Sequence, residues 1–199
     1  MSQLALVMHG GGMRGAYGAG VVDALVDLVG YDGVKIVIGT SAGAANAAAF
    51  AARAREALRD VWTRTLHLGT FIRPLRLKWV TDTDSLMRLL AQEGITTGAF
   101  LSSPMRLMVA VSHIETGKPH FFTNHDDVLH AIHASLSMPV LCRTPIEVAG
   151  APYLDGGIST TTVSLIEKAF AEGADKVIAL DLSIHLQWIN RVGLRWYAR

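Results

Sequence analysis

Two apolar runs near the amino terminus, LALVM (Leu4–Met8) and VKIVIG (34–39), each lead into glycine and then into a helix-forming stretch. Both runs have strand length, and neither alternates polar with apolar residues, the pattern of strands buried on both faces. Between them, residues 18–29 carry Val21, Val22, Leu25, Val26 and Leu28 at helical spacing. Residues 42–59 predict a second helix, with small residues first and charges later. A chain that reads strand, helix, strand, helix needs crossover connections, and crossovers build a parallel sheet with helices packed on it. The fold class expected is therefore α/β with a mainly parallel central sheet.

Beyond residue 60 the pattern is more varied. HLGTFIRPLRLKWVTDTD, from His67, reads as an irregular basic and aromatic excursion. TDSLMRLLAQEG predicts a short helix capped by Asp82 or Asp84 and stopped at Gly94. MRLMVAVSHIETGKPHFFTN predicts a hairpin turning at ETGKP, and DDVLHAIHAS a helix begun by acidic residues. PIEVAGAPYLDGG suggests two short strands around Gly150, TTVSLIEKAFAEGA a helix ending near Gly173, and DKVIALDL a final strand. With no repeat or linker along the way, residues 1–199 are expected to form a single domain.

Composition narrows the function classes. Half of the 199 residues are hydrophobic and 18% are charged, which excludes disorder and suits a sheet covered on both faces. A formal charge of +1 argues against a basic nucleic-acid binder. The one cysteine, Cys142, excludes an internal disulfide framework and a multi-cysteine zinc site; its apolar neighbours suit a packed core residue. The amino terminus lacks the basic leader and long apolar stretch of a signal peptide, and AGAANAAAFAA is too short to span a bilayer. A cytoplasmic protein without a transmembrane helix is expected, with peripheral membrane contact left open.

The glycines after the first strand admit two readings. Gly10-x-Gly12-x-x-Gly15 satisfies the dinucleotide fingerprint, but that fingerprint needs a carboxylate at the end of the second strand to hold a ribose. The second strand ends instead in IGTSAG, and Asp32, at about the right separation, precedes it. GTSAG, Gly39 to Gly43, fits G-x-S-x-G at a strand-to-helix junction, the context in which the motif marks a nucleophile elbow. Gly39 and Gly43 leave room for the sharp bend, and Ser41 stands at the turn beside the free N–H groups of a helix start. Acyl transfer creates an oxyanion that preorganised N–H groups stabilise. Gly10, Gly11 and Gly12, with the Ala42 N–H, could supply them, because successive parallel strands bring their carboxyl ends to one edge of the sheet.

A serine nucleophile needs a base. None of the eight histidines stands in a diagnostic setting; Asp155 and His185 could formally complete a Ser-Asp-His order, but that fold places several strands before its elbow. In YLDGG, Asp155 is a carboxylate on a tight loop after a strand, followed by Gly156 and Gly157, and could take the Ser41 proton directly. Taken alone, Asp-Gly also suits a simple turn. Arg14 could approach a phosphate or carboxylate, or serve a structural ion pair.

GGGMRG, GTSAG and DGG in this order, with ASLSMP at 134–139 and the hairpin VSHIETGKPHFF, resemble the patatin-like phospholipases, a family of serine acyl hydrolases. The resemblance extends over most of Leu4 to Leu182. It implies a three-layer α/β/α fold and a Ser-Asp dyad, Ser41 as nucleophile and Asp155 as base. It also implies an oxyanion hole from Gly10–Gly12, a lipid or other acyl-ester substrate, and neither a metal nor an organic cofactor. The chain departs from the family at His9, where an acidic or small residue is more usual, and after the DGG segment, which continues ISTTTVSL. Its end soon after VIALDL fits a compact or carboxyl-terminally truncated version, and the tail QWINRVGLRWYAR a terminal helix packed by Trp188 and Trp196 or a lipid-touching segment. The alternatives are a nucleotide-binding α/β protein using the same glycines, and a catalytically silent patatin-like regulator.

Overall fold

The structure, a computed structural model, describes residues 2–66, 83–139 and 144–183. The excursion from His67 to Asp82, Cys142, His185 and the tail with Trp188 and Trp196 lie outside the described residues.

The two apolar runs form neighbouring parallel strands, β1 (Leu4–Met8) and β2 (Val34–Gly39). The helix between them, α1 (Gly15–Val29), begins three residues earlier than its apolar pattern, directly after a 3-10 turn at Gly12–Arg14. The stretch expected as one helix from Ala42 to Arg59 is two, α2 (Ala42–Ala51) and α3 (Arg55–Asp60), followed by a π-helical turn at Val61–Thr65. The break is a Schellman cap: Arg53 takes a left-handed φ of 56°, Ala54 N–H donates to Ala49 O, and Arg53 N–H donates to Phe50 O. Residue composition favours helix across this point, but the carbonyls of α2 find their partners by ending it. Arg55 and Arg59 of α3 then pair with Asp23 and Asp27 of α1, holding the two helices together at the surface.

Next come α4 (Thr83–Gln92), the short α5 (Thr97–Leu101), and the hairpin of β3 (Arg106–His113) and β4 (Pro119–Thr123). Asp84 lies inside the first turn of α4 and is not its cap. Helix α6 (Val128–Leu136) precedes the second hairpin, β5 (Ile146–Val148) and β6 (Ala151–Asp155). Its two-residue turn has left-handed φ at both Ala149 and Gly150, as such turns require. Helix α7 (Thr162–Ala171), started by a capping box between Thr161 and Ser164, leads to β7 (Lys176–Leu180).

Strands β7, β1, β2 and β3 are parallel, and the two hairpins add the antiparallel pairs. One face of the sheet packs Leu6, Met8 and Val37 against α1, α2 and α6; the other packs Ala5, Val7, Ile36 and Ile38 against Leu165 and Ala169 of α7. This is the three-layer α/β/α arrangement.

One feature of the register positions the site. Strand β4 pairs with Met108–Ser112 along one edge of β3. Both β2, paired with Arg106–Val109, and β6, paired with Val111–His113, overlap that span, so they share the opposite edge. Strand β2 runs parallel to β3 and β6 runs antiparallel to it. Their carboxyl ends therefore point at one another, Gly39 beside Val109 and Asp155 beside Val111, with Ala110 between.

Candidate active site

The turn after β2 is strained. Ser41 has φ 55° and ψ −135°, a conformation natural to glycine that costs any other residue on the order of 1–3 kcal/mol. Although it occupies the position before α2 where serine ordinarily caps a helix, its side chain makes no cap hydrogen bond. The hydroxyl is thereby left to the space in front of the turn. The strain is held by a fixed set of partners: Ser41 N–H donates to Ser135 Oγ at 2.9 Å, and that hydroxyl donates to Ala110 O at 2.8 Å. Ala110 is the β3 residue facing the gap between β2 and β6, so its carbonyl finds a side chain in place of a strand.

Asp155 enters the same gap from the other side. Its backbone is fixed at both ends, N–H donating to Ser137 O at 3.1 Å and the carbonyl accepting from Ser112 Oγ at 2.8 Å. Its Oδ1 accepts from Gly157 N–H at 2.8 Å, while Oδ2 is buried with no fixed hydrogen bond among the described residues. Burial pushes the carboxyl up to about 6; the Ser41 hydroxyl, the Gly157 N–H and His9 each pull it back down. Ser41 and Asp155, 114 residues apart in sequence, line the same cavity.

The glycines fit closely around this pair. A Cβ on Gly10 would stand 2.9 Å from Ser41 Oγ and nearer still to Ser41 Cβ, so only glycine lets the first loop lie on the serine. Gly43 packs its backbone on the Met8 and His9 carbonyls, Gly39 on α2, and Gly156 on Ala110 and Thr40. Gly11 lies against Leu182, and Gly12 has a left-handed φ of 57°. Among the described residues no hydrogen-bond acceptor is found for the N–H of Gly10, Gly11, Gly12 or Ala42. Gly157 lies beside Asp155, Gly15 lies beneath the Trp62 ring, and Arg14 is exposed, without an ion pair among the described residues. Ser41, Asp155, Gly12 and Ala42 line one cavity of about 100 Å³, otherwise walled by apolar side chains that include Trp62, Leu86 and Met138.

Two contributors were not singled out by sequence reasoning as site residues. His9 is buried with its ring between Gly10 O, at 3.2 Å, and Thr160 O, at 3.5 Å, joining the glycine loop to the segment after Asp155. Ser135 belongs to ASLSMP, which the family resemblance singles out without assigning it a task; that task depends on contacts with residues 41 and 110. Replacing Ser135 with Ala leaves the Ser41 N–H and the Ala110 carbonyl buried without a partner. The expected result is a loss of about 2–4 kcal/mol in urea-unfolding free energy.

An α/β sheet that seats a strained serine at a strand-to-helix turn, against a buried carboxyl and a glycine loop, defines a serine-elbow class of protein. The chain belongs to the patatin-like phospholipase family, whose profile it matches over residues 6–165. It is similar to the uncharacterized protein YjjU of Escherichia coli strain K12, at 30% identity over 98% of this chain and 57% of that protein. It is also similar in structure to VipD from Legionella pneumophila, with a TM-score of 0.64 at 14% identity, covering 90% of this chain and 49% of VipD. The chain thus spans about half the length of these relatives. No helix among the described residues is long and apolar enough to cross a membrane.

Proposed function

We propose that the chain hydrolyses fatty-acyl esters of lipids in two steps, with Ser41 and Asp155 as a catalytic dyad. The observation that carries this reading is that a strained, uncapped serine and a buried carboxyl line one cavity. In the first step Asp155 takes the proton of the Ser41 hydroxyl as Oγ bonds to the acyl carbon. The carbonyl oxygen becomes an oxyanion, held by N–H groups of the Gly10–Gly12 loop and of Ala42. Collapse of this intermediate breaks the ester bond, and Asp155 returns its proton to the leaving alcohol or lysolipid. In the second step Asp155 takes a proton from water as the water oxygen adds to the acyl carbon. Breakdown then restores the Ser41 hydroxyl and frees the fatty acid.

Two further observations support this reading. The cavity beside Ser41 is lined almost wholly by apolar groups, as an acyl group requires, and Gly10 lies flat on the serine, where an oxyanion donor belongs. Met13, which lines this cavity, is exposed, and a lipid surface could meet it there. The test is labelling of the purified protein with an alkyl fluorophosphonate, located by peptide mass spectrometry, together with turnover of phospholipids, acylglycerols and soluble esters. Labelling at Ser41 with release of fatty acid is expected. An unlabelled Ser41 in folded protein would remove the nucleophile from the proposal and favour a silent regulator.

A further inference from the structure

The peptide between Gly10 and Gly11 joins two residues that have no side chains. In a trans peptide the C=O and the N–H of one plane point in opposite directions. Turning that plane over changes only the ψ of Gly10 and the φ of Gly11, and glycine accepts such changes at little cost. The close approach of Gly10 to Ser41 and of Gly11 to Leu182 fixes where the Cα atoms lie, which such a rotation leaves in place. Left to itself, this peptide can therefore exchange the directions of the Gly10 carbonyl and the Gly11 N–H.

The His9 ring decides between the two directions. His9 is buried, and its backbone N–H donates to Leu180 O at 2.9 Å, which anchors it to β7. Its Nδ1 lies 3.2 Å from Gly10 O. A carbonyl oxygen only accepts, so a ring proton is assigned to Nδ1 and donated there. Among the described residues no other donor is found for Gly10 O. The far side of the ring is backed by the turn that follows Asp155: Nε2 stands 3.5 Å from Thr160 O, and a Cβ on Gly157 would stand 3.7 Å from Cε1. That turn is itself fixed by hydroxyls. Gly156 O accepts from Thr160 N–H at 3.0 Å and from Thr160 Oγ1 at 2.8 Å. Ser112 Oγ donates to Asp155 O at 2.8 Å and lies 2.7 Å from Ser159 Oγ. The ring thus stands between the glycine loop and the aspartate turn, and both places where the chain departs from its family, His9 and the segment after the DGG, meet there.

We infer that His9 is a positioning residue for the oxyanion hole: by holding Gly10 O through Nδ1, it keeps the Gly10–Gly11 peptide from turning over and the Gly11 N–H directed away from the ring as a donor. The inference rests on the acyl-hydrolase reading, in which the Gly10–Gly12 loop holds the oxyanion, and adds the residue that preorganises that loop. Losing one oxyanion donor costs about 10²–10³-fold in kcat, and a donor left free to turn away costs part of that.

The experiment compares kcat and KM for a p-nitrophenyl ester in the wild type, His9→Leu, His9→Asn and His9→Gln. His9→Leu removes the donor and should lower kcat at least about tenfold, with KM within about threefold of wild type. His9→Asn carries an amide nitrogen at the position of Nδ1 and should return kcat to within about threefold of wild type. His9→Gln carries its amide one carbon further, on the Thr160 side, and should stay as slow as His9→Leu. Undiminished kcat in His9→Leu, or equal kcat in the Asn and Leu variants, would overturn the inference while fluorophosphonate labelling of Ser41 leaves the dyad intact. Should His9→Leu fail to fold, the Asn and Gln variants decide: equal kcat overturns the inference. Amide relaxation dispersion at Gly11 reads the peptide plane without any substrate. It should be flat in the wild type and His9→Asn and show exchange in His9→Leu and His9→Gln. If no ester is turned over and Ser41 stays unlabelled, the acyl-hydrolase reading fails by itself, and the same dispersion in all four proteins would show that His9 does not hold the plane.

Discussion

Ser41→Ala is expected to reduce ester turnover by at least about 10⁴-fold while the protein stays folded. Loss of the nucleophile leaves only binding and oxyanion stabilisation, which supply a minor part of the acceleration in serine hydrolases of other folds. The fold should survive because Ser41 is held through its backbone: its N–H donates to Ser135 Oγ, and its side chain caps nothing. Ser41→Gly separates strain from chemistry. Glycine adopts φ 55° without penalty, so this variant should be equally inactive yet about 1 kcal/mol more stable than wild type in urea unfolding. A Ser41→Ala protein with more than a tenth of wild-type turnover would exclude Ser41 as the nucleophile.

Asp155→Asn is expected to trade activity for stability. An amide cannot take the Ser41 proton, so turnover should fall by about 10³-fold or more, within the range that loss of a base or its orienting group produces. Stability should move the other way. The Asp155 carboxyl is raised to about 6 in the fold, against an ordinary value near 3.9 in the unfolded chain. Over that interval the native state binds the proton more tightly than the unfolded state does. Native stability therefore declines as pH rises from about 4 to about 6, and the cost is complete above that window, on the order of 2–3 kcal/mol. Asparagine keeps an acceptor for the Gly157 N–H and carries no charge to desolvate. The variant should melt several degrees above wild type at pH 8 and lose that advantage at pH 4. The same shift sets the activity profile: wild-type kcat/KM should fall below about pH 6 as Asp155 protonates. Equal melting temperatures at pH 8 would mean that the ionised carboxyl is not penalised by its surroundings.

Much of the architecture is legible because it is local. The strand bounds of β1 and β2, both hairpins and the final helix and strand follow from apolar runs and from glycine-containing turns at Gly117 and Gly150. The break between α2 and α3 is not legible, since it places an arginine, Arg53, in a left-handed conformation that nothing in its identity announces. Helix α5 at Thr97–Leu101 is not legible either, being a single short turn capped by Thr96 and without a periodic face. Of the site, Ser41, the glycine loop and Asp155 were legible as residue types in suggestive places. The work of His9 and Ser135 was not, because each acts on a partner remote in sequence. Both left a signal, His9 as a departure from the family at that position and Ser135 as part of ASLSMP.

The amino-acid order by itself determined that two buried parallel strands end in glycine turns, that one of those turns carries a serine, and that a later strand ends in an aspartate. Each of these is a property of a few consecutive residues, governed by backbone conformation and by local apolar periodicity. Only the tertiary structure decided that β2 and β6 approach head to head along one edge of β3. That juxtaposition buries Asp155 beside the cavity that Ser41 also lines. Desolvation depends on everything packed around a group, and no short stretch of sequence records it.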